Sequence, residues 1–296
     1  MSGTPEPRRR RLRLVFALLI AAPAGMSLAE SGGGRGIPED VRVESIGGGV
    51  DILRFDRTFE SERAADEVRI RNPWGDVRVR RARGNSVELS VVIQRLAAGA
   101  PLPDIDASRK RGRFEVRIDY PGSPTRHSAG GARPGRVDLV VLAPATASVD
   151  VETDDGEIRV SHTTRPVRAR AVSGRIVASG SSTFDIETGS GHILVRQVGG
   201  IPGPSRIRAE SGSVSVLVSP TGDQRLRVRA GSGIYTGPGW GDEPALGLTD
   251  GATRFERRWG AGRHRFDIES RDADVQLLPF LSLDGEAPDD PPDGRR

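Results

Sequence analysis

The residues best suited to chemistry are Asp154, Asp155 and Glu157, a carboxylate cluster within one short stretch. Cleavage of a glycosidic bond needs two carboxylates roughly 5–10 Å apart across a substrate groove. In this chain the cluster falls on a turn. Asp155 stands where later copies of the same pattern carry serine, so hydrogen bonding within the turn accounts for it. The histidines, His127, His162, His192 and His264, follow no zinc-ligand spacing. There is no cysteine, which removes disulfides, thiolate metal sites and a lipidated cysteine. The serines lack a G-x-S-x-G elbow. Gly32-Gly33-Gly34-Arg35-Gly36 follows no strand and reads as a linker, not a phosphate loop. No copy carries the regular aspartates of calcium-binding nonapeptides. These absences predict a non-enzymatic chain with no catalytic residue, metal or cofactor.

Arginine offers a different chemistry. Arg168, Arg170, Arg206, Arg208, Arg227 and Arg229 occupy outward positions of successive strands and would line one sheet face, with Glu152 and Glu187 among them. Such a face is either ordinary solvated surface or a site for an anionic polymer gripped by bidentate guanidinium contacts. The formal net charge of +4 comes from the N-terminus. Residues 1–29 hold Arg8, Arg9, Arg10, Arg11 and Arg13 against Glu6 alone, and the remainder is balanced. A nucleic-acid partner is therefore not expected. The dense run Arg109-Lys110-Arg111-Gly112-Arg113 reads as a solvated loop.

The elements that must position these side chains repeat about every 20 residues. An Asp/Ser-Gly step recurs at Gly156, Gly174, Gly191, Gly212 and Gly233. Five residues before each stand Val151, Ala169, Ile186, Ile207 and Val228. Two after stand Ile158, Ile176, Ile193, Val214 and Tyr235. The intervening positions are polar, so each copy reads as strand, tight turn, strand, with one face inward. Further copies surround Gly75 (Val68 to Val79) and Ala273 (Phe266 to Leu277). The six glycines from Gly75 to Gly233 are expected at corners with positive φ. The period predicts an all-β chain, favouring a β-solenoid of stacked coils; an antiparallel sandwich or roll of hairpins is the alternative. Residues 97–136 interrupt the array with one strand, Phe114 to Tyr120. Residues 237–263 leave room for one degenerate coil.

The N-terminus has a secretory pattern. A basic stretch at residues 8–13 precedes an apolar run from Leu14 to Ala24, with small residues at Ser27 and Ala29. That run is shorter than the roughly 20 residues of a spanning helix. We expect a signal peptide over 1–29, a linker over 30–40, the β-repeat domain over 41–283 and a disordered tail over 284–296. No integral span is expected once the leader is removed.

The segments Val137 to Val160, Asn72 to Val79 and Phe184 to Val195 resemble the bacterial putative-adhesin family, over roughly residues 41–280. The resemblance implies an exported β-strand-repeat protein of the envelope or cell surface, without catalytic residues. Its partner would be an envelope polysaccharide or another envelope protein. A structural or sensory scaffold without a ligand is the second reading, and a carbohydrate-active enzyme the third.

Overall fold

Strict inward–outward alternation, rich in valine and isoleucine, produces strands throughout the described chain. The computed structural model describes residues 34–35, 41–47, 50–60, 63–95, 100–121, 135–219, 223–237 and 253–279. The expected leader and cleavage site, His127 and the C-terminal tail lie outside them. The described chain is all-β, in two mixed eleven-stranded sheets that do not close into a barrel. Among the described residues no helix is long and apolar enough to cross a membrane.

Each strand–corner–strand unit sends its first strand to one sheet and its second to the other. In the first sheet the order is Gly34–Arg35, Asp104–Lys110, Arg113–Asp119, Glu67–Arg71, Ser148–Asp155, Val167–Ser173, Phe184–Ser190, Ser205–Ser211, His264–Ser270, Gln224–Ala230, Arg254–Trp259. In the second it is Ile234–Thr236, Val275–Pro279, Val214–Val218, Ile193–Gln197, Ile176–Gly180, Ile158–Thr163, Val77–Arg81, Arg136–Ala143, Val87–Arg95, Val50–Phe59, Arg42–Gly47. Repeat strands pair in parallel and in the expected register. Val151 lies beside Ala169, which lies beside Ile186, and that beside Ile207. Ile158, Ile176, Ile193 and Val214 form the matching column of the second sheet.

The apolar faces of both sheets share one core. Its largest side chains include Phe114, Phe184 and Phe266, all fully buried. Ser205 pairs with Phe266 and its hydroxyl accepts the Phe184 amide hydrogen at 3.1 Å, so a small residue separates the two rings along the stack. Alternating large and small residues is how such a column keeps native packing density.

Several sequence expectations need correction. The stacking order departs from chain order at both ends. The Phe266 copy, last in sequence, inserts between the Gly212 and Gly233 copies. Near the N-terminus, strand Arg113–Asp119 lies outside Glu67–Arg71 although it follows it in the chain. The 97–136 interruption therefore supplies a further unit, and Asp104–Lys110 adds an antiparallel neighbour to it. The degenerate coil expected within 237–263 is instead strand Arg254–Trp259, antiparallel to Gln224–Ala230. Within the span read as a linker, Gly34 and Arg35 pair with Ala107 and Asp106. Among the described residues, antiparallel strands thus lie beyond the parallel units at three of the four sheet ends, and Ile234–Thr236 ends the second sheet without one. Covered ends limit edge-to-edge association of a repeat array.

The corners explain the glycines. Gly75, Gly156, Gly174, Gly191 and Gly212 all have positive φ. A Cβ on Gly191 would lie 2.0 Å from the carbonyl oxygen of Gly174, and one on Gly212 equally close to Gly191. Successive backbones therefore touch where side chains would stand. Gly233 departs from this, because it has no positive φ and its corner is one residue shorter. Ile234 takes the buried position expected of Tyr235, which turns outward. The close approach moves to Gly231, whose added Cβ would meet the Arg271 carbonyl oxygen at 1.9 Å.

At the Gly75 corner a polar cluster replaces a serine. The buried Asn72 donates from Nδ2 to the Val137 carbonyl at 2.8 Å. The Tyr120 hydroxyl donates to the Trp74 carbonyl at 2.6 Å and lies 3.3 Å from Asn72 Oδ1. Burial pushes the Tyr120 phenol above its ordinary value of 10.0. The folded state then holds its proton where an unfolded tyrosine would release it. Its contribution is complete below pH 10.0 and is lost as pH rises beyond it. Urea titrations across that range should show the wild type losing stability above pH 10.0 and Tyr120→Phe losing less. The same variant should cost about 1 kcal/mol at neutral pH for the missing hydrogen bond.

Candidate interaction face

The outer face of the first sheet collects the charged residues that alternate with its core positions. Strand pairing arranges them in columns. One column reads Glu115, Arg69, Asp150, Arg168, Asp185, Arg206, Asp267, Arg227, Glu256. Every cross-strand pair in it joins opposite signs. The adjacent column reads Arg117, Arg71, Glu152, Arg170, Glu187, Arg208, Glu269, Arg229, Arg254, and alternates from Arg71 to Arg229.

All six arginines singled out in the sequence fall on this face, in these two columns. They do not form an unbroken arginine ladder. Arg168 pairs with Asp185 at 3.0 Å and Arg170 with Glu187 at 3.6 Å. Arg208 reaches Glu269 at 3.2 Å, and Arg227 reaches Glu256 at 3.5 Å. Arg206 lies between Asp185 and Asp267. Sequence reading had found Glu152 and Glu187 among them. It missed that Asp150, Asp185, Asp267 and Glu269 complete the alternation. The signal was available, since Asp185 and Asp267 stand directly before the core isoleucines Ile186 and Ile268 in their own copies, as Arg168 stands directly before Ala169.

The pairing order also accounts for the swapped units. Were the copies stacked in chain order, Arg206 would face Arg227 and Arg208 would face Arg229. Inserting strand His264–Ser270 places Asp267 and Glu269 between them. At the other end, Arg69 separates Glu115 from Asp150. Like charges directly opposite each other destabilise a sheet and opposite charges favour it.

The carboxylate cluster has a structural setting. Asp154 and Asp155 are exposed at the corner, and Ser173 Oγ donates to the Asp154 carbonyl at 3.1 Å. Burial of its carboxyl, with Glu152 nearby, raises the Asp154 pKa above the ordinary carboxylate value. Glu157 is held by Arg159 at 2.5 Å. His192 Nδ1 lies 2.8 Å from Ser213 Oγ on the exposed corner, and His162 adopts a positive φ. Among the described residues no group of three or more His, Asp or Glu side chains could hold a metal ion.

No family model matches the chain. No curated protein matches it either. Similar solved structures include a putative cell adhesion protein from Clostridium sporogenes, 10% identical, covering 76% of this chain and 99% of that one, with a TM-score of 0.41. Another is a putative adhesin from Bacteroides fragilis, 7% identical over 76% of this chain and 96% of that one, TM-score 0.32. A third is a putative lipid binding protein from Parabacteroides distasonis, 13% identical over 75% of this chain and 96% of that one, TM-score 0.24. The structural neighbours of this chain thus include putative adhesin and cell adhesion proteins, at low sequence identity.

Proposed function

We propose that this chain is a non-catalytic, exported interaction module: a β-solenoid that presents the outer face of its first sheet to an envelope or extracellular polymer. The observation that carries this reading is the regular charge grid on that face, repeated at every strand from Glu67–Arg71 to Gln224–Ala230. Parallel strands about 4.8 Å apart set its spacing. A surface of that regular spacing suits a repetitive partner better than a single small molecule. The solenoid reading rests on the parallel register of the repeat strands and on their corner glycines meeting backbone to backbone. Export rests on the secretory pattern of residues 1–29.

One observation favours a second reading, a structural envelope component without a ligand. The ladder neutralises itself, so its charges already serve sheet register. Fractionation of the native host separates the two. The interaction module begins at Glu30 and sediments with envelope material until released by salt. Recovery free of that material, or as an uncleaved chain in the inner membrane, contradicts it.

A further inference from the structure

The alternation of charge fails at both ends of the face, always as arginine beside arginine. At one end Arg117 lies beside Arg71, but Asp119 holds Arg117 at 2.9 Å and Glu152 holds Arg71 at 3.2 Å. At the other end Arg229, Arg254 and Arg258 make no ion pair of this kind among the described residues. The last strands of the first sheet are His264–Ser270, Gln224–Ala230 and Arg254–Trp259. Here arginine faces arginine across strands: Arg225 lies between Arg265 and Arg258, and Arg229 lies beside Arg254. Glu256 sits among them and holds Arg225 and Arg227. Asp267 holds Arg265 at 2.5 Å. Among the described residues Arg229 and Arg254 make no ion pair: Glu269, the cross-strand neighbour of Arg229, reaches Arg208 instead. Among the described residues Arg258 donates to the carbonyl of Gly260, at 3.2 Å, and makes no ion pair.

A sheet whose middle strands separate like charges has here gathered exposed guanidinium groups without ion pairs among the described residues, at a cost in cross-strand repulsion. A bound polyanion would relieve that cost, since guanidinium groups pair bidentately with carboxylate and sulfate-like oxygens. The aromatic residues of the terminal strand, Phe255 and Trp259, pack against the core on the opposite face. None is left outward among these positions to stack a base, which disfavours single-stranded nucleic acid. We infer that this arginine cluster, centred on Arg229, Arg254 and Arg258, is the site at which the chain binds an acidic polysaccharide. The inference rests on the proposed polymer-binding role and localises it away from the neutralised middle of the ladder.

The test is affinity chromatography of the purified full chain on immobilised heparin and on polygalacturonate, which separate sulfate from carboxylate recognition, at graded salt. Wild type should be retained on at least one. Arg229→Gln with Arg254→Gln and Arg258→Gln should weaken that retention about tenfold, with a shallower salt dependence. Arg168→Gln with Arg170→Gln, in the middle of the ladder, should change it less than about twofold. Glu256→Gln frees Arg225 and Arg227 and should strengthen retention, a gain that misfolding does not mimic. Loss of binding in the mid-ladder variant alone overturns this localisation and leaves the broader proposal standing. A wild-type chain retained on neither polymer overturns both. Equal displacement by duplex DNA at matched charge overturns the polysaccharide assignment.

Discussion

Gly191→Ala should unfold or severely destabilise the protein, although it adds one methyl group at an exposed corner. The added carbon would lie 2.0 Å from the Gly174 carbonyl oxygen and 2.7 Å from its carbon, and φ at this residue is +142°. Both neighbours are backbone, so no side chain can swing aside. The φ alone costs a non-glycine residue about 1–3 kcal/mol. Separating two stacked corners also disturbs the Ile176–Ile193 and Ile193–Val214 contacts below them. We expect a loss on the order of 3 kcal/mol or more, a large fraction of a domain's stability. Gly84→Ala is the matched control. Nothing lies within 4 Å of its added carbon, and its φ is not in the positive range. Its effect should stay within about 0.5 kcal/mol. Denaturant melts of the two variants measure the difference directly.

The second large effect belongs to the inserted strand. Asp267→Arg with Glu269→Arg turns four favourable cross-strand neighbours, Arg206, Arg208, Arg227 and Arg229, into like-charge ones. Each such pair changes by several tenths of a kcal/mol, so the double reversal should cost roughly 1–3 kcal/mol. These side chains are partly exposed, and salt will shrink the effect. Melts of the same variant at about 1 M salt should recover most of the loss, because the screening length there is only about 3 Å. A merely steric explanation predicts no such recovery, and melts at low and high salt distinguish the two.

Much of this architecture is written locally and so can be read without coordinates. The isoleucine and valine columns, the corner glycines from Gly75 to Gly212 and the outward arginines all follow from period-two alternation within one copy. What escapes is information held between copies. Nothing in the Phe266 copy alone says that it enters the stack before the Gly233 copy; that order emerges when Asp267 and Glu269 are matched against arginines of two other units. Tyr235 was misplaced because the Gly233 corner is one residue shorter, which a fixed template absorbs silently. Strand Arg254–Trp259 looked like a coil because alternation gives facing but not direction, and antiparallel pairing obeys the same period. The arginine face was legible as a set of residues. Its neutralisation, and the exception at Arg229, Arg254 and Arg258, required the register.

The stacking order can be tested by zero-length crosslinking, since the chain has no native cysteine to interfere. Arg206→Cys with Asp267→Cys places two thiols on directly paired positions. Neighbouring strands lie about 4.8 Å apart, within the Cα range a disulfide accepts. Arg206→Cys with Arg227→Cys places them two strands apart, at roughly 10 Å, beyond that range. Mild oxidation should therefore close the 206–267 pair and leave 206–227 reduced. Closure of 206–227 with 206–267 open would mean that the copies stack in chain order, and would contradict the account of the ladder given above.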